Sequence, residues 1–220
     1  MEREPLREAI RRELTERIVA GDLRSGAPIR LVATASEMGV SVTPLRESLV
    51  QLEHDGFVQS APGRGYTVTE MSVSEVEELY PLVWTLEALA LRLAPPPPET
   101  LSTLSDLNER FRSLEDPREA QRLDREWHRT LLSACRNRTL LAFLDLIKRR
   151  AARYEVAFMR ELRRAGSSRS ADQHAELVAR LEAADVESAA RVLEENWRAG
   201  PRLLVPWLER RAVAGARTDG

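Results

Sequence analysis

The chain has 220 residues, of which 43% are hydrophobic and 31% are charged, as is typical of a globular protein. No apolar run approaches the roughly 20 residues that cross a bilayer, and the charged first residues are unlike a secretory signal. The single cysteine, Cys135, excludes an internal disulfide framework. We therefore expect a cytoplasmic protein with one large domain or two small ones.

The charge balance excludes a protein that coats DNA through bulk positive charge. The whole chain carries −2, and residues 1–70 hold nine arginines against eleven acidic residues, so this part carries −2 as well. Any nucleic-acid function must therefore depend on where the arginines lie. Lys148 is the sole lysine, which we attribute to genome composition rather than to function.

The first 70 residues predict three helices and then a small hairpin. The predicted helices are 6–19, 32–38 and 44–54, and the predicted strands are 57–60 and 66–70. Residues 22–30 are expected to form a loop. Thr43 is predicted to cap the third helix, with Pro44 at its first position. Leucines at 45, 49 and 52 predict the buried face of this helix.

The remainder predicts helices throughout. The predicted helices are 71–94, 99–115, 117–135, 138–165, 170–184 and 186–210. Ser74 and Glu77 have the spacing of a capping box, Pro81 is expected to kink its helix, and four prolines at 95–98 predict a rigid connector. The fold is therefore predicted to be mostly α with a small β wing. Its expected parts are a winged helix-turn-helix domain at 1–70, an all-helical domain at 71–212 and a flexible tail at 213–220.

A short helix, a tight turn and a second helix with a polar tip indicate a helix-turn-helix, and the hairpin makes it winged. Such a tip fits a major groove. Ser41 and Thr43 can bind phosphate, Arg46 can reach a guanine or a phosphate, and Arg64 on the wing can enter a minor groove. The alternative is a winged helix that contacts protein, which the negative charge favours. The candidate DNA-binding residues are Arg30, Ser41, Val42, Thr43, Pro44, Arg46, Arg64 and Gly65.

Two of the three histidines have spacing that suggests a metal site. Asp124 and His128 are four residues apart on one helix face, while His174 and Asn196 lie on later helices. A carboxylate and imidazoles from separate helices of a bundle form many divalent metal sites. The alternative is that both histidines are packed in the core without a ligand.

The N-terminal motifs resemble those of a known family. Gly39-Val40-Ser41, Thr43-Pro44-Leu45-Arg46-Glu47 and Arg64-Gly65 are similar to the DNA-binding domain of GntR-family bacterial transcription regulators, over nearly all of residues 5–70. Two positions differ from the family pattern, which usually has arginine where this chain has Val42 and Gln51. Both differences remove positive charge from the face that the resemblance implies for DNA.

Residues 72–210 resemble the FCD ligand-binding domain of the same regulators, through "DREWH" and "HAELVARLEAADVESAARVLEEN". In that domain an Asp and three His hold zinc or nickel, and the metal binds a small carboxylate. The resemblance implies metal ligands at Asp124, His128 and His174, with Asn196, a poorer zinc ligand, at the third histidine position. Val83 replaces an arginine of the effector pocket. Arg149 and Arg153 are the candidate residues for binding an effector without metal.

Together these features predict a ligand-responsive transcription regulator that binds a short palindromic operator as a homodimer, with a small organic acid as effector. Two alternatives remain open. One is a structural DNA-binding protein without a ligand, and the other is a metal-dependent enzyme. The sequence shows no separate general base, nucleophile elbow or phosphate loop, so we expect that the chain is not an enzyme.

Overall fold

The structure is a computed structural model that describes residues 5–61, 63, 65–162 and 167–216. The chain forms two compact units, one of Met1–Ser72 with Ala152–Ala157, and one of Val73–Ala151 with Phe158–Gly220. The helices are α1 (Leu6–Ala20), α2 (Leu31–Glu37), α3 (Val42–His54), α4 (Val73–Leu93), α5 (Pro98–Ser113), α6 (Pro117–Leu131), α7 (Arg138–Leu162), α8 (Ser167–Glu182) and α9 (Val186–Ala216). The strands are β1 (Pro28–Ile29), β2 (Val58–Ala61) and β3 (Gly65–Val68). The prediction of a mostly α fold with a small β wing is confirmed.

The first unit is built around the contact between α1 and α3. Helix α1 ends as predicted at Gly21, whose φ of 73° is the left-handed conformation that glycine adopts without strain. The leucine positions of α3 are fully buried, as their spacing predicts. The core here includes Leu14, Leu45, Leu49, Leu52 and Phe57.

The sheet of the first unit has three antiparallel strands in the order β1-β3-β2. The hairpin of β2 and β3 is confirmed, with Val58 opposite Val68. The prediction of a simple loop at 22–30 was wrong, because Pro28 and Ile29 pair with Thr67 and Tyr66 to form β1. A two-residue strand has no alternation to recognise, so only its partner strand defines it.

The start of α3 lies two residues before the predicted position. Ser41 is the N-cap residue, and its side chain makes no capping hydrogen bond. Thr43 therefore does not cap the helix, and Pro44 is its third residue. Proline is tolerated there because the first N–H groups of a helix have no intrahelical acceptor.

The second unit is a helical bundle in which α4 packs on α9, and α5 packs on α6 and α8. The prediction of a capping box was wrong. Ser74 lies inside α4, and its hydroxyl donates a hydrogen bond to the Glu78 carboxylate at 3.0 Å. Pro81 falls within α4, which continues past it. None of the helices in the described residues is long and apolar enough to cross a membrane.

Several helix ends of the second unit differ from the prediction, among them the end of α6 at Leu131 rather than at residue 135. Helix α8 begins at Ser167 rather than near residue 170, and α9 extends to Ala216. Residues 213–216, which we expected in a flexible tail, are therefore helical, while 217–220 lie outside the described residues.

Candidate metal centre and nucleic-acid interface

Three of the predicted metal ligands meet inside the second unit. Asp124, His128 and His174 each place one potential ligand atom within 4.8 Å of the others. Nε2 of His128 lies 4.0 Å from one Asp124 oxygen, and Nε2 of His174 lies 3.7 Å from the other. Helix α6 supplies the first two residues from one face, and α8 supplies the third. The predicted helix spacing thus produces the expected cluster.

Hydrogen bonds at the opposite ring nitrogens orient both imidazoles. Nδ1 of His128 lies 2.8 Å from a Glu87 carboxylate oxygen, and Nδ1 of His174 lies 3.2 Å from the side-chain oxygen of Asn108. The Asn108 amide nitrogen donates to the carbonyl of Ala171 at 2.8 Å, which fixes which way the amide points. Since both acceptors are oxygens, Nδ1 of each ring donates, and Nε2 of each ring faces the Asp124 carboxylate.

The environment of the cluster suits a divalent cation. The His174 ring is 1% exposed, stacks on Trp127 at 3.7 Å, and has a buried Nε2 without a hydrogen-bond partner in the described part of the chain. Burial lowers the pKa of His174 well below its usual value, so the ring is neutral and able to bind metal. Burial also raises the pKa of the Asp124 carboxyl above its usual value, although positive charges nearby oppose the rise. Two imidazoles and a carboxylate are a donor set that zinc and nickel accept, so the residues fit such a metal.

A buried ion pair adjoins the metal-ligand cluster, and sequence reasoning missed it. The Glu87 side chain is 0% exposed; it accepts hydrogen bonds from His128, from Nζ of Lys148 at 2.5 Å and from the Trp197 indole. Burial alone would raise the pKa of Glu87, but His128 and Lys148 outweigh it and hold the pKa at about 2. The signals were present, since Glu87 is the sole acidic residue between positions 79 and 91 and Lys148 is the sole lysine of the chain.

Asn196, the fourth expected metal ligand, has other contacts. Its amide nitrogen donates to the hydroxyl of Ser170 and to the side-chain oxygen of Gln173, both at 3.1 Å. This nitrogen has no lone pair to offer a metal. A ligand role for Asn196 would therefore depend on its amide oxygen, and it stays a prediction.

The expected effector residues have different surroundings from one another. Val83 is fully buried in α4. Arg149 is 42% exposed and pairs with Asp145 at 2.7 Å. Arg153 belongs to the first compact unit, where its guanidinium donates to the carbonyl of Thr69 at 3.1 Å. Their roles in binding an effector stay predictions.

The described arginines before residue 62 divide into two groups. Several are paired with acids; the pairs are Arg7–Glu47, Arg11–Glu8, Arg11–Asp55, Arg12–Glu16, Arg17–Glu13 and Arg17–Glu37. Arg24, Arg30 and Arg46 are exposed and have no ion-pair partner among the described residues. These three positive charges therefore remain available to an anionic partner, even though the unit as a whole is acidic.

The tip of α3 is open to solvent. Ser41, Thr43 and Arg46 are exposed, while Val42 and Pro44 are half-buried. The Ser41 hydroxyl makes no capping bond, so it can serve another acceptor or donor. The structure thus brings the predicted helix-tip residues together on one surface.

The wing carries the other two candidates. Gly65 begins β3 with a φ of 75°, a conformation that suits glycine in the tight turn between β2 and β3. Arg64 lies outside the described residues, so its predicted contact with a minor groove stays a prediction.

Comparison with known proteins identifies both units. Residues 6–68 match the gntR family of bacterial regulatory proteins, and residues 78–199 match the FCD domain. The chain is 29% identical over 60% of its length to the HTH-type transcriptional regulator YdhC of Bacillus subtilis, and 28% identical over 49% to the HTH-type transcriptional regulator McbR of Escherichia coli. These matches cover 62% and 49% of the two relatives, less than two thirds of either.

Solved structures give the same fold. The structure of Escherichia coli McbR/YncC superposes with a TM-score of 0.77 and covers 93% of this chain and 99% of its own, at 21% sequence identity. A winged helix-turn-helix followed by an FCD bundle defines a class of bacterial regulatory proteins. The chain belongs to the GntR family and carries an FCD domain.

Proposed function

We propose that this chain is a cytoplasmic transcription regulator that binds a short palindromic operator as a homodimer and responds to a small organic acid. The DNA-binding part of the proposal rests on which arginines of the first unit are exposed and lack an ion-pair partner among the described residues. Arg30, the N-cap residue of α2, and Arg46, within α3, are exposed and unpaired among the described residues. Paired arginines cannot bind phosphate without losing a partner, whereas these two can.

An exposed leucine stripe on α4 supports the homodimer. Leu82, Leu89 and Leu93 are 47%, 41% and 57% exposed, and Leu86 between them is partly exposed. From Leu82 to Leu93 the successive leucines of this stripe are four, three and four residues apart. This order is the same when the helix is read in the opposite direction. Two antiparallel copies of α4 related by a twofold axis would therefore place Leu82 against Leu93 and Leu86 against Leu89.

The buried lone pair on Nε2 of His174 supports a metal in the FCD bundle. A neutral buried imidazole nitrogen without a partner is costly, and a divalent cation bound with Asp124 and His128 would satisfy it. Three protein ligands leave coordination positions open. In the proposal a small carboxylate takes one of these positions, and its binding biases the DNA-binding units.

The DNA-binding part is tested by selecting bound sequences from random double-stranded DNA. We expect an inverted repeat, protected by one dimer. Binding that is equally strong to all sequences would favour the structural DNA-binding protein instead. Arg46→Ala should lose selectivity, and Arg12→Ala, which removes an arginine already paired with Glu16, is the matched control.

The metal and effector parts are tested by elemental analysis of the purified protein and by thermal shift with small carboxylates, with and without zinc or nickel. We expect about one metal per chain and a carboxylate shift that requires metal. Metal that stays bound in the His128→Ala, His174→Ala double variant would refute the site. Turnover of a carboxylate or ester would instead indicate the enzyme alternative.

A further inference from the structure

The exposed side of α3 has an unusual row of side chains. Val42, Arg46 and Val50 are four residues apart, so they are neighbours along one strip of the helix. Val50 is 48% exposed, Arg46 is exposed and Val42 is half-buried. The core is filled from the opposite side of α3, where Leu45 and Leu49 are 0% exposed. Packing within the unit therefore does not account for the exposed Val50 or for the exposed part of Val42.

Two acidic residues near this row are paired with arginines of α1. Glu47, beside Arg46 on the exposed side, lies 3.5 Å from the Arg7 guanidinium. Asp55, just beyond the end of α3, lies 3.3 Å from Arg11. Arg46 is the one cation of the row, so the row offers a DNA groove two apolar surfaces and a single positive charge.

We propose that Val42 and Val50 read the C5 methyl groups of thymine on either side of a guanine contacted by Arg46. Thymine is the base that presents a methyl group in the major groove, and apolar side chains gain by covering it. A guanidinium is matched to the O6 and N7 acceptors of guanine. The inference rests on the proposed function and adds to it the residues that select the operator sequence.

The dimensions of the row agree with this assignment. At 1.5 Å per residue, successive members of the row are about 6 Å apart along the helix. Two base-pair steps of B-DNA span about 6.8 Å. For a helix that lies along the groove, the three side chains therefore meet bases about two steps apart. Because the row has a single cation, it releases few counterions when it binds DNA. Contacts with bases therefore account for most of what α3 contributes to affinity.

The test uses the full-length protein and the inverted repeat selected from random DNA. Each thymine of one half-site is replaced in turn by deoxyuridine, which pairs identically but lacks the C5 methyl group. Affinity is measured by fluorescence anisotropy for the unmodified protein and for Val42→Ala and Val50→Ala. Val32→Ala is the matched control, because Val32 is a 75% exposed valine on α2, outside the row.

We expect about a fourfold loss of affinity at one or two deoxyuridine positions, the value of one buried methyl group. The loss at one position should disappear in Val42→Ala or in Val50→Ala, and it should persist in Val32→Ala. If no deoxyuridine lowers affinity, or if the losses persist in both α3 variants, the thymine assignment is wrong while the operator stands. If no sequence is selected from random DNA, the proposed function fails and this inference fails with it.

Discussion

Replacement of Lys148 by methionine tests the buried ion pair of the second unit. Methionine keeps an unbranched apolar stem of similar length but leaves the Glu87 carboxylate, which is 0% exposed, without its ammonium partner. Removal of one member of a buried pair costs about 3–5 kcal/mol. His128 and Trp197 still donate to Glu87, and Lys148 is 18% exposed, so we expect about 2–4 kcal/mol. For a chain of this size, a loss of about 3 kcal/mol lowers Tm by about 6–12 °C.

Thermal unfolding followed by circular dichroism measures this effect. Arg149→Met is the control, because the neighbouring Arg149 pairs with Asp145 at the surface and its loss should change stability by less than about 1 kcal/mol. The double variant Glu87→Gln, Lys148→Met should be more stable than Lys148→Met alone, since it removes the uncompensated buried charge. Equal losses of Tm in Lys148→Met and Arg149→Met, or a double variant less stable than Lys148→Met, would show that Lys148 does not stabilise the buried Glu87 carboxylate.

Three other predictions concern the proposed binding surfaces. His174→Ala should lose the metal, and nickel or cobalt should no longer quench the fluorescence of Trp127, which stacks on the His174 ring at 3.7 Å; unchanged quenching would contradict the ligand assignment. Arg46→Ala should weaken binding to the selected operator by about 1–3 kcal/mol while binding to random DNA changes little; an equal loss on both DNAs would indicate a phosphate contact. Leu89→Glu should shift the protein from dimer to monomer in sedimentation velocity without lowering its helix content; a persistent dimer would exclude α4 as the interface.

The sequence predicted the helices well because their signals are local. Periodic apolar residues predicted α1 and α3. Helix α3 buries its three leucines, whereas α1 buries Leu14 but leaves Leu6 57% exposed. The errors occurred where local signals compete. Proline at position 44 and serine at position 74 each favour a helix start, but both residues lie inside their helices. Tertiary packing decides such boundaries when propensities differ by less than about 1 kcal/mol.

The metal-ligand cluster was predictable only in part. Asp124 and His128 are one turn apart, so sequence spacing alone places them on one helix face. His174 lies 46 residues beyond His128 on a separate predicted helix, so spacing made it a candidate but did not place it beside His128. Asn108, which orients His174, had no sequence signal, because one polar residue on an amphipathic helix has no distinctive pattern.

Local patterns in the sequence predicted the helices, the winged helix-turn-helix, the family resemblance and two of the three candidate metal ligands, because each depends on residues close together in the chain. The pairing of the buried Glu87 with Lys148 follows from the tertiary structure alone. Glu87 and Lys148 are 61 residues apart, and no local rule relates them. Likewise, the pairing of Arg7 with Glu47 follows from how α1 lies against α3. Charge counts are a property of composition, whereas the charges available to a ligand depend on three-dimensional pairing.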